Sequence, residues 1–458
     1  MSARLRSGQA RLDSILGGGL PENAINLVIG LPGAGKTILA NQFVFANATP
    51  ERPALYLSTV SEPFDKLIRY GQTLSFFDPK AMGRSVFFED LGATLNANGL
   101  ASVLERIVGL LKERRPGIMV IDSFKALAAY ADGADMRPFL HELAGRLSAS
   151  PVSSFWVGEY AEEDVGSTPE FAIADAIISL ATTWTNEREA RWLRVMKLRG
   201  STFAPGQHAY RLSADGIEVF PRLADPPDVA GYALDDRRLS SGIAALDEML
   251  AEGYRPGAST LCAGASGTGK TLMGLHFVFN GARVGERGIL ATLQEHPAHL
   301  ERIVNAFGWT LKDEAVELMY RSPVDIYVDE WVYQLLDTVE RVDARRVLID
   351  SLTDLQLASP DAVRFREYMY SLVQRLARKG VGVFMTSELA DLFAVTRLSE
   401  HGISHLADNV ILLQYIREQS SVRRALTVLK TRASRHEPAI HEYTIGGDGI
   451  VLGAPYAP

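Results

Sequence analysis

The chain has 458 residues, of which 47% are hydrophobic and 22% charged, and its formal net charge is −8. This ordinary globular composition predicts two or three domains, and the acidic balance disfavours a protein dedicated to binding duplex DNA. The single cysteine, Cys262, excludes a disulfide within the chain, and no stretch is typical of a signal peptide or a membrane span. The sequence therefore predicts a cytoplasmic protein that does not engage a membrane.

Two glycine-rich loops share one pattern: GLPGAGKT at residues 30–37 and GASGTGKT at residues 264–271. Both fit G-x-x-x-x-G-K-S/T, the phosphate-binding P-loop, and each lies between an apolar run (25–29, 259–263) and a helix-like segment (38–47, 272–282). In such a loop, backbone N–H groups surround the β-phosphate at a helix N-terminus. The expected ATP contacts are Gly33, Ala34, Gly35, Lys36, Thr37 and Ile38 in the first loop and Gly267, Thr268, Gly269, Lys270, Thr271 and Leu272 in the second.

The last two residues of each loop are expected to contact the phosphates and the metal ion. Lys36 and Lys270 are predicted to reach the β- and γ-phosphate oxygens and to act in catalysis. Thr37 and Thr271 are predicted to bind Mg²⁺ through their hydroxyl groups.

The loops belong to an internal repeat of domain size. Leu12-Asp13 and Lys36 recur as Leu246-Asp247 and Lys270, with a constant offset of 234 residues. Between the copies, ADPPD at residues 224–228 has the composition of a linker. The sequence therefore predicts an N-terminal domain of residues 1–235 and a C-terminal domain of residues 236–458.

Strands and helices alternate after each loop. In the first repeat the predicted strands are 54–58, 118–122 and 154–158, with helices at 64–70, 100–114 and 136–148. In the second repeat the strands are 288–293, 346–350 and 382–386, with helices from 298 and at 363–379. Strands at 174–180 and 407–415 follow, and 191–198 and 424–430 are their hairpin partners. This alternation predicts an α/β fold in each repeat, a mainly parallel sheet with helices on both faces and an antiparallel edge.

Acidic side chains end several of the predicted strands. Asp122 and Asp350 close buried strands, where a carboxylate lies beside the P-loop and can hold Mg²⁺ through water; the alternative is a helix N-cap. Glu62 and Glu295 end the strand after the P-loop helix and can orient or deprotonate the attacking water or hydroxyl. The alternative for these glutamates is a first-turn acid favoured by the helix dipole.

Two pairs of cations occupy alternate positions late in each repeat: Lys197 and Arg199, then Lys430 and Arg432. Period two places both side chains of a pair on one strand face, where they could meet the phosphates of a neighbouring subunit's nucleotide. The alternative is a solvated strand face.

Together these motifs resemble the KaiC family of double-domain RecA-fold ATPases over nearly the whole chain. The resemblance rests on both P-loops, Glu62 and Glu295, the Ile-Asp-Ser motifs at Asp122 and Asp350, and the segments at 197–201 and 430–436. The segment ISHLADNVILLQY at residues 403–415 is especially close. The implied fold is two tandem RecA-like P-loop NTPase domains.

The resemblance implies a homo-oligomer, a hexameric double ring with ATP and Mg²⁺ at the subunit interfaces, and a signalling protein partner. It implies ATP hydrolysis in the first ring and serine/threonine autophosphorylation in the second, with Ser404 as the acceptor; the alternative for Ser404 is a solvated loop serine. Phe307 matches an aromatic that stacks on adenine, with core packing as its alternative. The residues implied to contact a neighbour's ATP are Arg191, Lys197, Leu198, Arg199, Ser201, Arg424, Lys430, Thr431, Arg432, Ser434 and His436.

Several positions depart from the family pattern. The first of two adjacent strand-end acids, commonly taken as the base, is replaced by Ser61 and Gln294, and a motif glycine is replaced by Ala433. The residue after Ser404 is His405, where the family has the second hydroxyl of a Ser-Thr pair. These departures favour a relative of the clock proteins over a clock component. They leave two alternatives: a nucleotide-dependent scaffold with little turnover, and a RecA-type DNA-handling ATPase, which the acidic balance disfavours.

Overall fold

A computed structural model describes residues 3–59, 64–131, 136–185, 188–223, 236–359, 361–390, 405–418, 420–432, 434–447 and 449–456. The chain divides into two compact units, Met1–Arg222 and Leu223–Pro458. Among the helices of these ranges, none is long and apolar enough to cross a membrane.

The first unit contains eleven strands and six α-helices in its described ranges. Its strands are β1 (Arg4–Leu5), β2 (Leu20–Pro21), β3 (Ile25–Gly30), β4 (Ala54–Ser58), β5 (Val86–Asp90), β6 (Ile118–Asp122), β7 (Ser153–Gly158), β8 (Ala176–Thr185), β9 (Arg188–Leu198), β10 (His208–Ser213) and β11 (Gly216–Phe220). Its helices are α1 (Ala10–Ile15), α2 (Lys36–Asn47), α3 (Phe64–Gly71), α4 (Gly92–Arg114), α5 (Arg137–Ser148) and α6 (Glu170–Ile173), with 3₁₀ helices at Pro79–Ala81, Phe124–Tyr130 and Glu162–Gly166.

Nine of these strands form one sheet in the order β11-β10-β9-β8-β3-β7-β6-β4-β5, and β1 and β2 pair in a separate two-stranded sheet. The strands from β8 to β5 in this order run parallel, whereas β9, β10 and β11 extend the sheet as antiparallel strands. The predicted α/β fold, with a parallel sheet and an antiparallel edge, is confirmed.

Helices cover both faces because successive strand side chains point to opposite sides. In β3, Val28 joins a core with Leu39 and Phe43 of α2, whereas Leu27 joins a second core with Ile107 of α4. All six residues of β3 are buried, so this strand reads as a continuous apolar run and holds the first P-loop at the centre of the sheet.

The second unit repeats this architecture. Its strands are β12 (Ser259–Gly264), β13 (Gly288–Thr292), β14 (Val316–Tyr320), β15 (Arg346–Asp350), β16 (Gly382–Glu388), β17 (Asn409–Glu418), β18 (Ser421–Thr431), β19 (His441–Gly446) and β20 (Gly449–Pro455). Its helices are α7 (Ala244–Met249), α8 (Lys270–Arg283), α9 (Pro297–Ala306), α10 (Val328–Val342), α11 (Leu352–Ala358) and α12 (Ala362–Arg378), with a 3₁₀ helix at Pro323–Asp325.

The second sheet is also nine-stranded, in the order β14-β13-β15-β16-β12-β17-β18-β19-β20. Read from the other end, this is the order of the first sheet, with β12 in the place of β3. In both units one strand separates the P-loop strand from the strand that ends in Asp122 or Asp350. Because these strands are parallel, the loop and the aspartate meet at the same edge of the sheet. The two units are therefore tandem RecA-like domains.

Candidate nucleotide sites

Each P-loop turns sharply between its strand and its helix. Gly35 caps α2 with φ 91° and Gly269 caps α8 with φ 94°, a left-handed conformation that favours glycine. A β-carbon at Gly35 would also lie 2.7 Å from Leu212 Cδ2. Glycine is therefore required for the turn that points the first helical N–H groups into the loop, where a phosphate can accept them.

The lysine of each loop bends back across it. Lys36 Nζ donates to the carbonyl of Leu31 over 2.9 Å, and Lys270 Nζ donates to the carbonyl of Ala265 over 2.9 Å. Burial lowers the pKa of Lys36, and the negative charges of Glu159 and Asp122 partly oppose this decrease. Both ammonium groups therefore lie inside the loop, where phosphate oxygens would be bound.

The loop threonine and the strand-end aspartate meet in both units. Thr37 Oγ1 donates to Asp122 Oδ2 over 2.8 Å, and Thr271 Oγ1 donates to Asp350 Oδ2 over 2.9 Å. A hydroxyl and a carboxylate side by side are hard oxygen ligands that fit Mg²⁺. The described ranges contain no cluster of three or more His, Cys, Asp or Glu side chains that could hold a metal.

The two aspartates differ in their other partners. Asp122 Oδ2 also accepts a 2.6 Å hydrogen bond from the Tyr56 hydroxyl, whereas Asp350 Oδ1 accepts one from Thr386. Burial raises the pKa of Asp350, and the hydrogen bonds from Thr386 and Thr271 oppose this rise. Sequence reasoning missed Tyr56 and Thr386 because each lies within a buried strand and acquires its role from the neighbouring strand.

Each P-loop is supported by strands of the same chain, β9 and β10 in the first unit and β17 and β18 in the second. Tyr210 donates its hydroxyl to Ala34 O over 2.7 Å, and Tyr415 donates to Ser266 O over 3.3 Å. Arg191 Nη1 donates to Gly33 O over 2.8 Å, and Arg424 Nε donates to Gly267 O over 3.3 Å. The two arginines assigned from the resemblance to a neighbour's nucleotide thus contact the P-loop of their own chain.

The Lys-x-Arg pairs lie at the opposite end of the hairpin strands. Lys197 Nζ donates to Ala172 O over 3.2 Å, and Arg199 Nη2 donates to the same carbonyl over 3.3 Å. Across β8, Arg191 pairs with Thr182 and Lys197 with Ile177. Six residues of strand separate the two cations, about 20 Å at about 3.4 Å per residue. Both members of the first pair therefore lie on one side of the strand, far from their own P-loop.

The second pair has the same arrangement. Lys430 Nζ donates to Ala407 O over 2.7 Å, and Arg432 Nη2 donates to His405 O over 2.9 Å. Burial, together with the charge of the adjacent arginine, lowers the pKa of Lys197 and of Lys430. The side chains of Arg199 and Arg432 are 57% and 56% exposed, and their guanidinium groups pair with Asp175 over 3.3 Å and with Asp408 over 3.6 Å.

The other predicted contact residues have mixed surroundings. Buried positions are Ala34, Leu198, Thr268 and Leu272, and Ile38 packs partly buried against the core. Ser201 Oγ donates to Thr202 O over 3.2 Å, Ser434 Oγ accepts from Arg238 over 3.4 Å, and Thr431 and His436 are half-buried.

Phe307 packs 5.7 Å from Trp309 at the end of α9. Glu295 is half-buried, and its backbone N–H donates to Thr292 Oγ1 over 3.4 Å.

Several positions that figured in the sequence predictions lie outside the described residues. They are Ser61, Glu62, Ile403, Ser404, Ala433 and the predicted linker at 224–228.

The fold and the paired loops define a protein with two RecA-like P-loop domains, and comparison with known proteins identifies its family. The family described as "ATPase: KaiC" matches residues 5–224 and again residues 239–456. The "Circadian clock oscillator protein KaiC" of Picosynechococcus sp. is 28% identical over 465 residues, which cover 96% of this chain and 88% of that relative. The "Circadian clock protein KaiC3" of Synechocystis sp. is 27% identical, covering 99% of this chain and 92% of its own length.

Two family matches that together span most of the chain show its membership. The chain belongs to the KaiC family, and each of its two units is a KaiC-type ATPase domain.

Proposed function

We propose that the chain is a Mg²⁺-dependent ATPase with two nucleotide sites, assembled as a hexameric ring that serves regulation or signalling. The observation that carries this proposal is the hydrogen bond between the P-loop threonine and the strand-end aspartate, present in both units at 2.8 and 2.9 Å. Both ATP and Mg²⁺ have matching partners in that arrangement: loop N–H groups and lysine for phosphate, hydroxyl and carboxylate for the ion.

The residues of each site have distinct proposed tasks. Loop amides bind the β-phosphate, and Lys36 or Lys270 neutralises the oxygens between the β- and γ-phosphates. Thr37 with Asp122, and Thr271 with Asp350, would hold Mg²⁺. When bound, this ion supplies charge neutralisation on the phosphates. Glu62 and Glu295 are the proposed bases for the attacking water, and Phe307 is the proposed contact for adenine.

The Lys-x-Arg pairs are proposed to act on the nucleotide of a neighbouring copy. They lie about 20 Å along the strand from the residue that contacts their own P-loop. The Arg199 and Arg432 side chains are more than half exposed, although each guanidinium group also pairs with an aspartate, Asp175 or Asp408. A surface cation at this distance from its own loop would stabilise a phosphate bound to a second subunit, as in a ring of head-to-tail contacts. Arg191 and Arg424 contact the P-loop of their own chain, and these contacts favour a supporting role for them there.

Ser404 is the proposed acceptor of autophosphorylation, as the family resemblance implies. Arg432, which is proposed to act at the subunit interface, donates to the carbonyl of His405, the residue that follows Ser404 in the sequence. In this reaction Ser404 Oγ attacks the γ-phosphorus and loses its proton to Glu295, while the bond between the γ-phosphorus and the bridging oxygen breaks and ADP leaves.

The test is incubation with Mg²⁺ and γ-labelled ATP, following released phosphate and protein-bound label together. Wild type is compared with Lys36→Ala, Lys270→Ala and Ser404→Ala. We expect less phosphate release from Lys36→Ala, and label that is lost in both Lys270→Ala and Ser404→Ala. Release without label would reject the autokinase part, and bound ATP with neither signal would identify a nucleotide-dependent scaffold.

A further inference from the structure

Gln294 has one orientation imposed by its neighbour. It lies two residues beyond the end of β13, and its Nε2 donates to Asp354 Oδ1 over 3.1 Å. A carboxylate oxygen accepts hydrogen bonds, so the amide nitrogen must face Asp354 and the carbonyl oxygen Oε1 must point away from it. The side chain therefore presents an acceptor on its other side.

Asp354 is itself held in place. It lies in the first turn of α11, is 9% exposed, and accepts a hydrogen bond from Ser351 Oγ on its second oxygen. Its backbone N–H donates to the same Ser351 hydroxyl over 3.4 Å. These contacts fix both carboxylate oxygens, one toward the helix cap and one toward Gln294.

This pair stands at the edge of the sheet that carries the second P-loop. The N–H of Leu293, the residue before Gln294, donates to the carbonyl of Asp350 over 2.9 Å. Asp350 in turn accepts from Thr271 of the P-loop. The charge of Asp354 contributes to the raised pKa of Asp350, behind burial as its main cause, so the two carboxylates belong to one electrostatic environment.

We propose that Gln294 orients the attacking water at the second nucleotide site through Oε1, and that Asp354 is the positioning residue that fixes its amide. The inference rests on the proposed ATPase function. The water oxygen bonds to the γ-phosphorus, the bond from that phosphorus to the bridging oxygen breaks, and ADP leaves with the electron pair. Gln294 accepts a hydrogen bond without taking the proton, which passes to Glu295. A glutamine can serve in this way because orientation, more than basicity, limits phosphoryl transfer to water.

The surrounding charges make glutamine preferable to an acid at this position. A glutamate at 294 would place a second carboxylate against Asp354, and such pairs repel. In the first repeat the residue four positions after Asp122 is Ala126, whereas the residue four positions after Asp350 is Asp354. The second site therefore has an acid in the first turn of the helix after Asp350, and the first site has none at the matching position.

The competing explanation is that Asp354 only caps α11. The two explanations differ in how substitutions combine, since a cap alone gives independent effects. If Asp354 positions residue 294, the Gln294→Glu variant should hydrolyse ATP slowly while Asp354 is present. Adding Asp354→Ala should then restore ATP hydrolysis, because it removes the repulsion between the two carboxylates.

The experiment uses the full chain in a Lys36→Ala background, so that ATP turnover reports on the second site. We expect Gln294→Ala to lower kcat at least about tenfold with little change in KM. Asp354→Asn keeps an oxygen for Ser351 but can present either end of its amide to Gln294, and it should lower kcat while preserving Tm. The double variant Gln294→Glu/Asp354→Ala should be faster than Gln294→Glu.

Each contrary outcome has a separate meaning. The inference would be overturned if Gln294→Ala did not change ATP turnover in the Lys36→Ala chain. It would also be overturned if the losses from Gln294→Glu and Asp354→Ala simply added in the double variant. Both outcomes would leave the ATPase proposal standing. Turnover in wild type that vanishes in the background chain would also overturn it, because the second site would not hydrolyse ATP. If wild type neither binds nor hydrolyses ATP, the proposed function itself fails.

Discussion

Tyr56 donates its hydroxyl to Asp122 Oδ2 over 2.6 Å, and this is the same oxygen that accepts from Thr37. The phenol thus orients the carboxylate proposed to hold Mg²⁺ in the first site. Its ring is buried and stacks on Phe88 at 4.8 Å, so phenylalanine can replace it without leaving a cavity.

Tyr56→Phe is expected to raise the Mg²⁺ concentration needed for half-maximal ATP hydrolysis about tenfold, because groups that orient metal ligands have effects of that size. The measurement is a Mg²⁺ titration in a Lys270→Ala background, which isolates the first site. Tyr130→Phe is the matched control, since it removes a 2.7 Å hydrogen bond to Asn96 outside the site. Equal Mg²⁺ dependence in the two variants would contradict the prediction.

Asp350→Asn should raise the Tm at neutral pH while reducing hydrolysis by the second site. Burial raises the pKa of Asp350, so between its ordinary value and the raised value the folded chain binds more protons than the unfolded chain. Stability from this group is therefore lost as the pH rises through that window. In EDTA without nucleotide, the Tm difference between variant and wild type should be larger near pH 7 than near pH 4. A difference that stays constant with pH would count against this account.

The burial of His276 predicts that the protein loses stability as the pH falls, which is opposite in sign to the pH dependence expected from Asp350. Its Nε2 accepts from the N–H of Ile450 over 3.3 Å, its ring packs against Trp309, and burial lowers the pKa of His276 to about 4. Between about pH 6.5 and pH 4 the unfolded chain binds the additional proton, so stability falls as the pH falls through this window.

His276→Gln keeps an acceptor but does not titrate. Relative to this variant, wild type should lose about 2 kcal/mol of unfolding free energy between neutral pH and pH 5. Urea unfolding followed at both pH values measures the difference, with His299→Gln on an exposed helix position as control. Parallel pH dependence in wild type and His276→Gln would show that the group does not titrate as proposed.

The proposed action of Arg199 on a neighbour predicts complementation between inactive variants. In a Lys270→Ala background, Lys36→Ala lacks a functional first P-loop and Arg199→Ala lacks the cation donated to the adjacent subunit. Each should be inactive at the first site. After mixing in equal amounts with subunit exchange, about a quarter of the interfaces combine an intact loop with an intact cation, and activity should recover to about that fraction. No recovery in rings shown to have exchanged would place Arg199 on its own subunit's nucleotide.

The sequence predicted the fold and the elements of the sites that depend on local patterns. Both P-loops are contiguous motifs, and Asp122 and Asp350 end apolar runs that must be buried strands. The missed strands include β10, β11, β19 and β20 at the antiparallel edges, and β5 and β14 at the opposite edges. The sequences of β5 and β14, VFFED and VELMY, are only partly buried. A partly buried edge strand lacks the apolar run that identifies a central one.

Contacts between distant segments could not be predicted from pattern alone. Gln294 and Asp354 are separated by 60 residues in sequence, and their hydrogen bond depends on how β13 and α11 are placed at the sheet edge. Likewise, Tyr210 reaches Ala34 only because the antiparallel strands fold back beside the loop. Motifs predicted which residues could bind ATP, whereas the orientation of their side chains required the tertiary structure.

Each chain is proposed to carry two separate ATP sites, one at each P-loop. The most direct test is the number of ATP molecules bound per chain with Mg²⁺, measured by equilibrium binding for wild type, Lys36→Ala, Lys270→Ala and the double variant. We expect about two for wild type, about one for each single variant and none for the double variant, because each lysine serves its own phosphate site. Unchanged binding in the double variant would show that the two P-loops are not the ATP sites.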